Sequence, residues 1–126
     1  MKTIIYTDKA PKPIGPYSQA VRAGNLLFCC GQIAIDPKTN QVMTGPVEEQ
    51  AKQVLENIRA VLDKAGLTFQ NVVKSTIYLT NMNDFTTVNE VYARYFKEEP
   101  AARTTIAVAG LPKGVHVEIE VIAQYE

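Results

Sequence analysis

PAARTTIAVAGLPKGVHVEIEVIAQ, residues 100–124, is the stretch on which the reading of the fold turns. From Val115 the odd positions are Val115, Val117, Ile119, Val121 and Ala123, and the even positions are His116, Glu118, Glu120, Ile122 and Gln124. This alternation predicts a strand with one buried face. A slip of one residue would drive both glutamates into the core, so the register is strongly specified. The even face is too apolar for free solvation and too acidic for a core. It reads as the floor of a site. Arg103, the only charged residue in 100–110, opens the preceding apolar run and reads as the positive pole of that site. LPKG, residues 111–114, is a turn-rich connection between the two.

Working outward, the bulk numbers set limits. A chain of 126 residues is long enough for one domain, 1–126, with a single core. Thirteen basic and thirteen acidic side chains cancel, and no basic block offers nucleic acid an electrostatic footprint. No apolar run is long enough to span a membrane, and residues 1–13 carry no long apolar segment of a secretory signal. Cys29 and Cys30 are adjacent, so on a strand they point to opposite faces and make a poor disulfide. That favours a reducing, cytoplasmic setting. No Cys/His cluster has metal-ligand spacing, and His116 is the only histidine.

Upstream, Thr3–Tyr6 reads as a short edge strand, and APKPIGP (10–16) interrupts any regular structure. Strands are expected over 18–23 and 26–35, joined by Gly24-Asn25 as a hairpin turn. Gly31 inside the second suggests a bulge or a close approach to the backbone. Residues 36–45 read as a polar loop. Pro46 suits the first position of a helix, and Ala51, Val54, Leu55, Ile58, Val61, Leu62 and Ala65 form its apolar stripe. Glu48 and Lys52 are spaced to pair on its outer face, and Gly66 suits its end. A strand over 72–80 follows, with Val73, Ser75, Ile77 and Leu79 expected on one face. Asn83 or Asp84 is expected to cap a second helix, whose stripe is Phe85, Val88, Tyr92, Tyr95 and Phe96, with Asn89 inside it. The order βββαβαββ implies an α+β fold: a six-stranded sheet with two helices on one face and parallel crossovers. The other face, with Phe28, Cys30, Thr76, Tyr78, Glu118, Glu120 and Ile122, would leave a large semi-polar surface bare, which implies a homo-oligomer.

Single residues leave alternatives open. Arg103 suits bidentate capture of a carboxylate, or a surface or interface ion pair. Glu118 and Glu120 share a face about 7 Å apart. One of them could orient or deprotonate water, or both could pair with cations of another subunit. Tyr17 either donates its hydroxyl or packs. Asn89 either binds substrate or caps a loop. Cys30 reads as a small buried hydrophobe, because no base is tied to it.

Together, IGPYSQA (14–20), CGQI (30–33), NDFTTVNEVYARYF (83–96) and AARTTIAVAGLPKGVHVEIEVIA (101–123) resemble the Rid family, also called YjgF or reactive-intermediate deaminases, over essentially the full length. The resemblance implies a fold like Bacillus chorismate mutase, with the final strand between the third and fourth, and a homotrimer with clefts between subunits. It implies hydrolysis of 2-imino or enamine acids (2-aminoacrylate, 2-iminopropanoate, 2-iminobutanoate) to 2-keto acids and ammonia, with no cofactor. Carried onto this chain, Arg103 grips the substrate carboxylate and Glu118 orients the attacking water. Tyr17, Cys30, Gly31, Asn89 and Thr105 line the cleft. Cys30 stands where serine is frequent, and Thr105 where cysteine is. The rival expectations are a non-catalytic trimer that binds small carboxylates, and an endoribonuclease that inhibits translation.

Overall fold

The computed structural model describes residues 1–126. In chain order the elements are β1 (Lys2–Ile5), β2 (Ala20–Ala23), β3 (Leu26–Cys29), β4 (Ile35–Asp36), β5 (Gln41–Val42), α1 (Val47–Lys64), β6 (Val72–Leu79), α2 (Phe85–Ala93), β7 (Ala102–Ala107) and β8 (Val117–Gln124). Six strands form one mixed sheet in the order β1-β2-β3-β8-β6-β7, and β4 with β5 make a separate ribbon. The last strand is therefore central. It runs antiparallel to β3 and β6, while β6 and β7 are parallel. The alternation read from 115–123 holds: Val117, Ile119, Val121 and Ala123 are buried, and the glutamates between them are half-buried.

The buried face of β8 meets α1. Ala51, Val54, Leu55, Ile58, Val61 and Leu62 are all at most 1% exposed. Removing such side chains from water contributes about 1.5–3 kcal/mol each, which outweighs the weak propensity of the β-branched residues in this helix. Pro46 occupies the N-cap position, Glu48 and Glu49 lie in the first turn and Lys64 in the last, in keeping with the helix dipole. Gly66 follows with φ +80, a conformation that favours glycine. α2 packs beside α1 and completes the helical layer on this face.

Buried polar groups tie loops to this core. The Gln19 amide accepts from the Thr7 N–H at 2.8 Å and donates to the carbonyls of Thr7 and Pro11 at 3.0 and 2.9 Å. The proline-rich loop is thereby held on the start of β2. Asn57 donates to the carbonyls of Ile33 and Ile35, fixing the segment after β3 against α1.

Several boundaries differ from the sequence reading. The strand expected over 26–35 ends at Cys29. Gln32 makes only an isolated bridge to Ile119, and Ile35–Asp36 pairs instead with Gln41–Val42 inside the expected loop. The first arm is shorter too, beginning at Ala20 rather than Ser18. In β6 a register shift lies between Val72 and Lys74. This β-bulge turns Val72 into the core and leaves Val73 41% exposed, the reverse of the simple alternation. Asp84 stands at the N-cap position of α2, as expected, but its side chain makes no capping hydrogen bond. A 3₁₀ turn over Met82–Asp84 precedes α2, and the Asn81 side chain accepts from the Asn83 N–H. Glu48 meets Arg94 at 3.5 Å rather than Lys52.

Candidate active site

Two groups of the expected site residues emerge, and the sheet separates them. The first surrounds Glu118. A cavity of about 260 Å³ is lined by Ile14, Tyr17, Cys30, Gly31, Ile33, Pro112 and Glu118. Tyr17 follows Pro16, its N–H bonds the Gly15 carbonyl, and its hydroxyl accepts from the Ile14 N–H at 3.1 Å. That leaves the phenolic proton free to donate. Cys30 is anchored by its N–H on the Gln19 carbonyl, and the Gln32 amide reaches its sulfur at 3.7 Å.

Gly31 has a specific steric role. A Cβ built on it would stand 2.0 Å from Glu118 Oε2 and 2.9 Å from its Cδ. The glutamate carboxylate therefore lies against Gly31, in space that the Cβ of any other residue would fill. Partial burial first, and the charge of Glu120 second, raise the Glu118 pKa above the usual glutamate value. This carboxyl therefore holds its proton more tightly than an exposed one. Burial, then the Glu118 charge, pushes the Cys30 thiol up to about 11, and burial pushes Cys29 to about 12. Neither is a thiolate nucleophile at neutral pH.

The second group surrounds Arg103. Register pairs Arg103 with Ser75 and Thr105 with Ile77, whose side chains are buried on the helix-covered face. The Arg103 guanidinium lies 4.9 Å from the Tyr92 ring centre and 5.7 Å from that of Phe85. Tyr92 is fixed in turn by donating to Ser75 Oγ at 2.9 Å. Asn89 lies one turn from each ring on α2, at the i+4 position of Phe85 and the i–3 position of Tyr92, so it shares their stripe. The only ion pairs in the chain are Arg59–Glu56 and Arg94–Glu48, so the Arg103 charge has no acid partner. The Thr105 hydroxyl is buried without a hydrogen-bond partner. β7 is an edge strand, and the Val108 N–H bonds the Leu79 carbonyl. By alternation, the amides of Arg103, Thr105 and Ala107 point away from the sheet, to the open edge.

Glu118 pairs across the sheet with Tyr78, on the face that no helix covers, whereas Arg103 lies on the other. Arg103 is therefore not the positive pole of a site floored by the glutamates of its own chain. That expectation is corrected by strand parity. The uncovered face also shows Ile4, Phe28 and Ile106, each between 41% and 51% exposed. Sequence reasoning placed Tyr78 on this face but missed its donation to Glu120 Oε1 at 2.9 Å, and it missed the aromatic seat of Arg103 and the apolar walls Ile14, Ile33 and Pro112. The spacing of Phe85 and Tyr92 signalled a packed stripe, and nothing local marked its outer end as a cradle for a cation.

A mixed sheet with one helical layer defines a small α+β domain, with an unpaired arginine on one face of the sheet and two glutamates on the other. The sequence model of the family described as "Endoribonuclease L-PSP" matches residues 7–125. A RutC family protein of Pyrococcus horikoshii is 56% identical over 100% of both chains. The human 2-iminobutanoate/2-iminopropanoate deaminase is 49% identical over 98% of this chain and 90% of its own. Among solved structures, a Rid family protein of unknown function from Yersinia pestis superposes with a TM-score of 0.96 at 49% identity, covering 98% of this chain and 99% of that one. The chain belongs to the YjgF/Rid family.

Proposed function

We propose that this protein hydrolyses reactive 2-imino and enamine acids to 2-keto acids and ammonia, at sites completed by two copies of the chain in a homotrimer of the chorismate mutase-like kind. The observation that carries this reading is Arg103, a cation held between aromatic rings with no acid in its own chain to neutralise it. A small carboxylate supplies that acid, with two parallel hydrogen bonds from the guanidinium. The outward amide of Thr105 is a further donor beside it. Glu118 from a neighbouring copy faces the anchored substrate with Tyr17, Cys30 and Gly31, and Asn89 borders the cleft from the Arg103 side. The helix-free sheet face, with its exposed Ile4, Phe28 and Ile106, supplies the surface through which copies pack.

The reaction follows from these groups. The protonated imine carbon is electrophilic, and an enamine reaches the same state by protonation at carbon. Glu118 takes a proton from water as its oxygen bonds to C2, giving a carbinolamine. The same carboxyl returns the proton to nitrogen, the C–N bond breaks, and the hydroxyl proton passes by way of the carboxylate to the departing ammonia, leaving the C=O of the 2-keto acid and an ammonium ion. Holding water and C2 together supplies several kcal/mol of the barrier, and the proton carrier about 10²-fold or more. Anchored carboxylate, water and proton carrier account for every atom of this hydrolysis, so it calls for no cofactor. The endoribonuclease reading lacks an electrostatic footprint, because acidic and basic side chains balance at thirteen each.

Ammonia release from 2-aminoacrylate or 2-iminobutanoate, generated in situ, tests the reading. Arg103→Ala and Glu118→Gln should each abolish turnover, while chains of the two variants refolded together regain it in mixed trimers, where an intact Arg103 meets an intact Glu118. Equal rates for wild type and Arg103→Ala remove Arg103 from the mechanism. A silent mixture removes the two-copy site. A Glu118→Gln protein that binds keto acid as wild type does, beside a wild type with no turnover, points to the non-catalytic carboxylate-binding trimer instead.

A further inference from the structure

Glu118 is not alone on its face. Glu120 follows two residues along the same strand, with its carboxylate held by a phenol that no step of the proposed reaction uses. Tyr78 starts directly opposite Glu118 in the β6–β8 register, yet its hydroxyl ends on Glu120, whose own cross-strand partner is Thr76. The Tyr78 side chain thus runs along the sheet from one glutamate to the other and occupies the β6 side of β8. The Glu118 carboxyl goes the other way, onto Gly31 and into the cavity with Tyr17 and Cys30. An occupied side and an open slot, rather than any hydrogen bond to Glu118 itself, define where this carboxyl rests. The same phenol keeps a second carboxylate from swinging out of range.

We propose that Tyr78 and Glu120 are positioning residues for Glu118: the phenol pins Glu120, and the pinned carboxylate together with the ring aims Glu118 into the cavity. The groups that face Glu118 are few. They are Tyr17 from the proline-rich loop, Cys30 beyond β3, Pro112 from the adjoining turn, Tyr78 from β6 and Glu120 from its own strand; Lys74 lies further along β6, opposite Ile122, with its ammonium on Thr104 Oγ1 at 2.8 Å, and the His116 ring turns to Thr80. Cys30 stays neutral because burial and the Glu118 charge raise its pKa to about 11. Tyr78 stays neutral because its bond to Glu120 raises its own. The unbalanced charge nearest to Glu118 along the strand is therefore Glu120. Like charges on neighbouring carboxylates favour protonation of one of them, and covering this face with another copy removes water and strengthens the effect.

This inference rests on the reading of Glu118 as the proton carrier, but its test does not need turnover. The Glu118 side-chain carboxyl is titrated by carbon-13 NMR in the assembled wild-type protein and in Glu120→Gln, Tyr78→Phe and the double variant. The midpoint should move down in Glu120→Gln and down by less in Tyr78→Phe, where the freed Glu120 turns away. Tyr78→Phe should add nothing once Glu120 is glutamine. The acid limb of the kcat/KM profile should move with the midpoint, which a purely structural role would leave in place. A midpoint unchanged in Glu120→Gln overturns the proposal, as does an equal effect of Tyr78→Phe in both backgrounds. A protein that titrates as stated but releases no ammonia refutes the deaminase reading alone.

Discussion

Adding one methyl group at Gly31 tests the candidate site with the least disturbance elsewhere. In Gly31→Ala the new Cβ stands 2.0 Å from Glu118 Oε2, 2.9 Å from Cδ and 3.1 Å from Cγ, where ordinary contact begins near 3.4 Å. The carboxylate oxygen must retreat from 2.0 to about 3.4 Å, a displacement of about 1.4 Å. Misplacing a reacting group by about 1 Å costs on the order of 10²-fold in rate, or about 2.7 kcal/mol of transition-state stabilisation. Stability should change far less. Overpacking costs about 1–3 kcal/mol, but the clash is with the mobile end of a side chain, and replacing glycine at an unstrained position returns about 0.4–1 kcal/mol. The expected result is a kcat reduced about 10²-fold with KM less affected, because Arg103 still holds the carboxylate, and a melting temperature close to wild type. The control is Gly31→Ala in a Glu118→Ala background. The obstructing carboxylate is absent there, so the methyl group should cost no stability. Steady-state ammonia release and thermal melts of the four proteins complete the cycle. Wild-type turnover in Gly31→Ala, or the same stability loss in both backgrounds, refutes the geometry on which the site is built.

Two further outcomes follow from the ionisable groups. Burial first, and Glu120 second, raise the folded pKa of Glu118 above its unfolded value, so stability falls as pH rises from the ordinary glutamate range through that raised pKa. Glu118→Gln should therefore melt above wild type at neutral pH, with the gap closing in acid, and melting curves that differ equally at every pH contradict the shift. With Cys29 at about 12 and Cys30 at about 11, native protein should react with iodoacetamide on the order of 10²-fold more slowly than unfolded protein, and rapid native labelling of either thiol rules this out.

The fold was legible wherever periodicity ran long. The stripe of α1 and the alternation of 115–123 each repeat several times, so one face of each had to be buried, whereas the central place of β8 was expected only from the family resemblance. What stayed hidden is local. The bulge at Val72–Lys74 reverses which valine is buried without altering composition. The break after Cys29 depends on Gln32 bridging to Ile119, more than 80 residues away along the chain. In the candidate site the residue types were legible and their grouping was not. Whether Arg103 and Glu118 share a face depends on the parity of two pairings, Ser75 with Arg103 and Tyr78 with Glu118. A spacing of 15 residues across a loop cannot fix that parity.

Three departures from ordinary packing converge on the same residues. Glu118 is a half-buried acid beside another acid, Arg103 is a half-buried base without an acid, and Thr105 hides a hydroxyl that bonds to nothing. Each is costly in isolation, and elsewhere the chain avoids such arrangements: Gln19, Asn57 and Ser75 are as deeply buried and are fully engaged. Local rules broken together, with the surrounding core intact, mark a site maintained for something other than stability. Within one chain the misfits cannot relieve each other, because the sheet lies between the acid and the base. On the reading proposed above, a small carboxylic acid at Arg103, approached by the Glu118 of a second copy, would relieve the unpaired cation and give the tightly held proton a use.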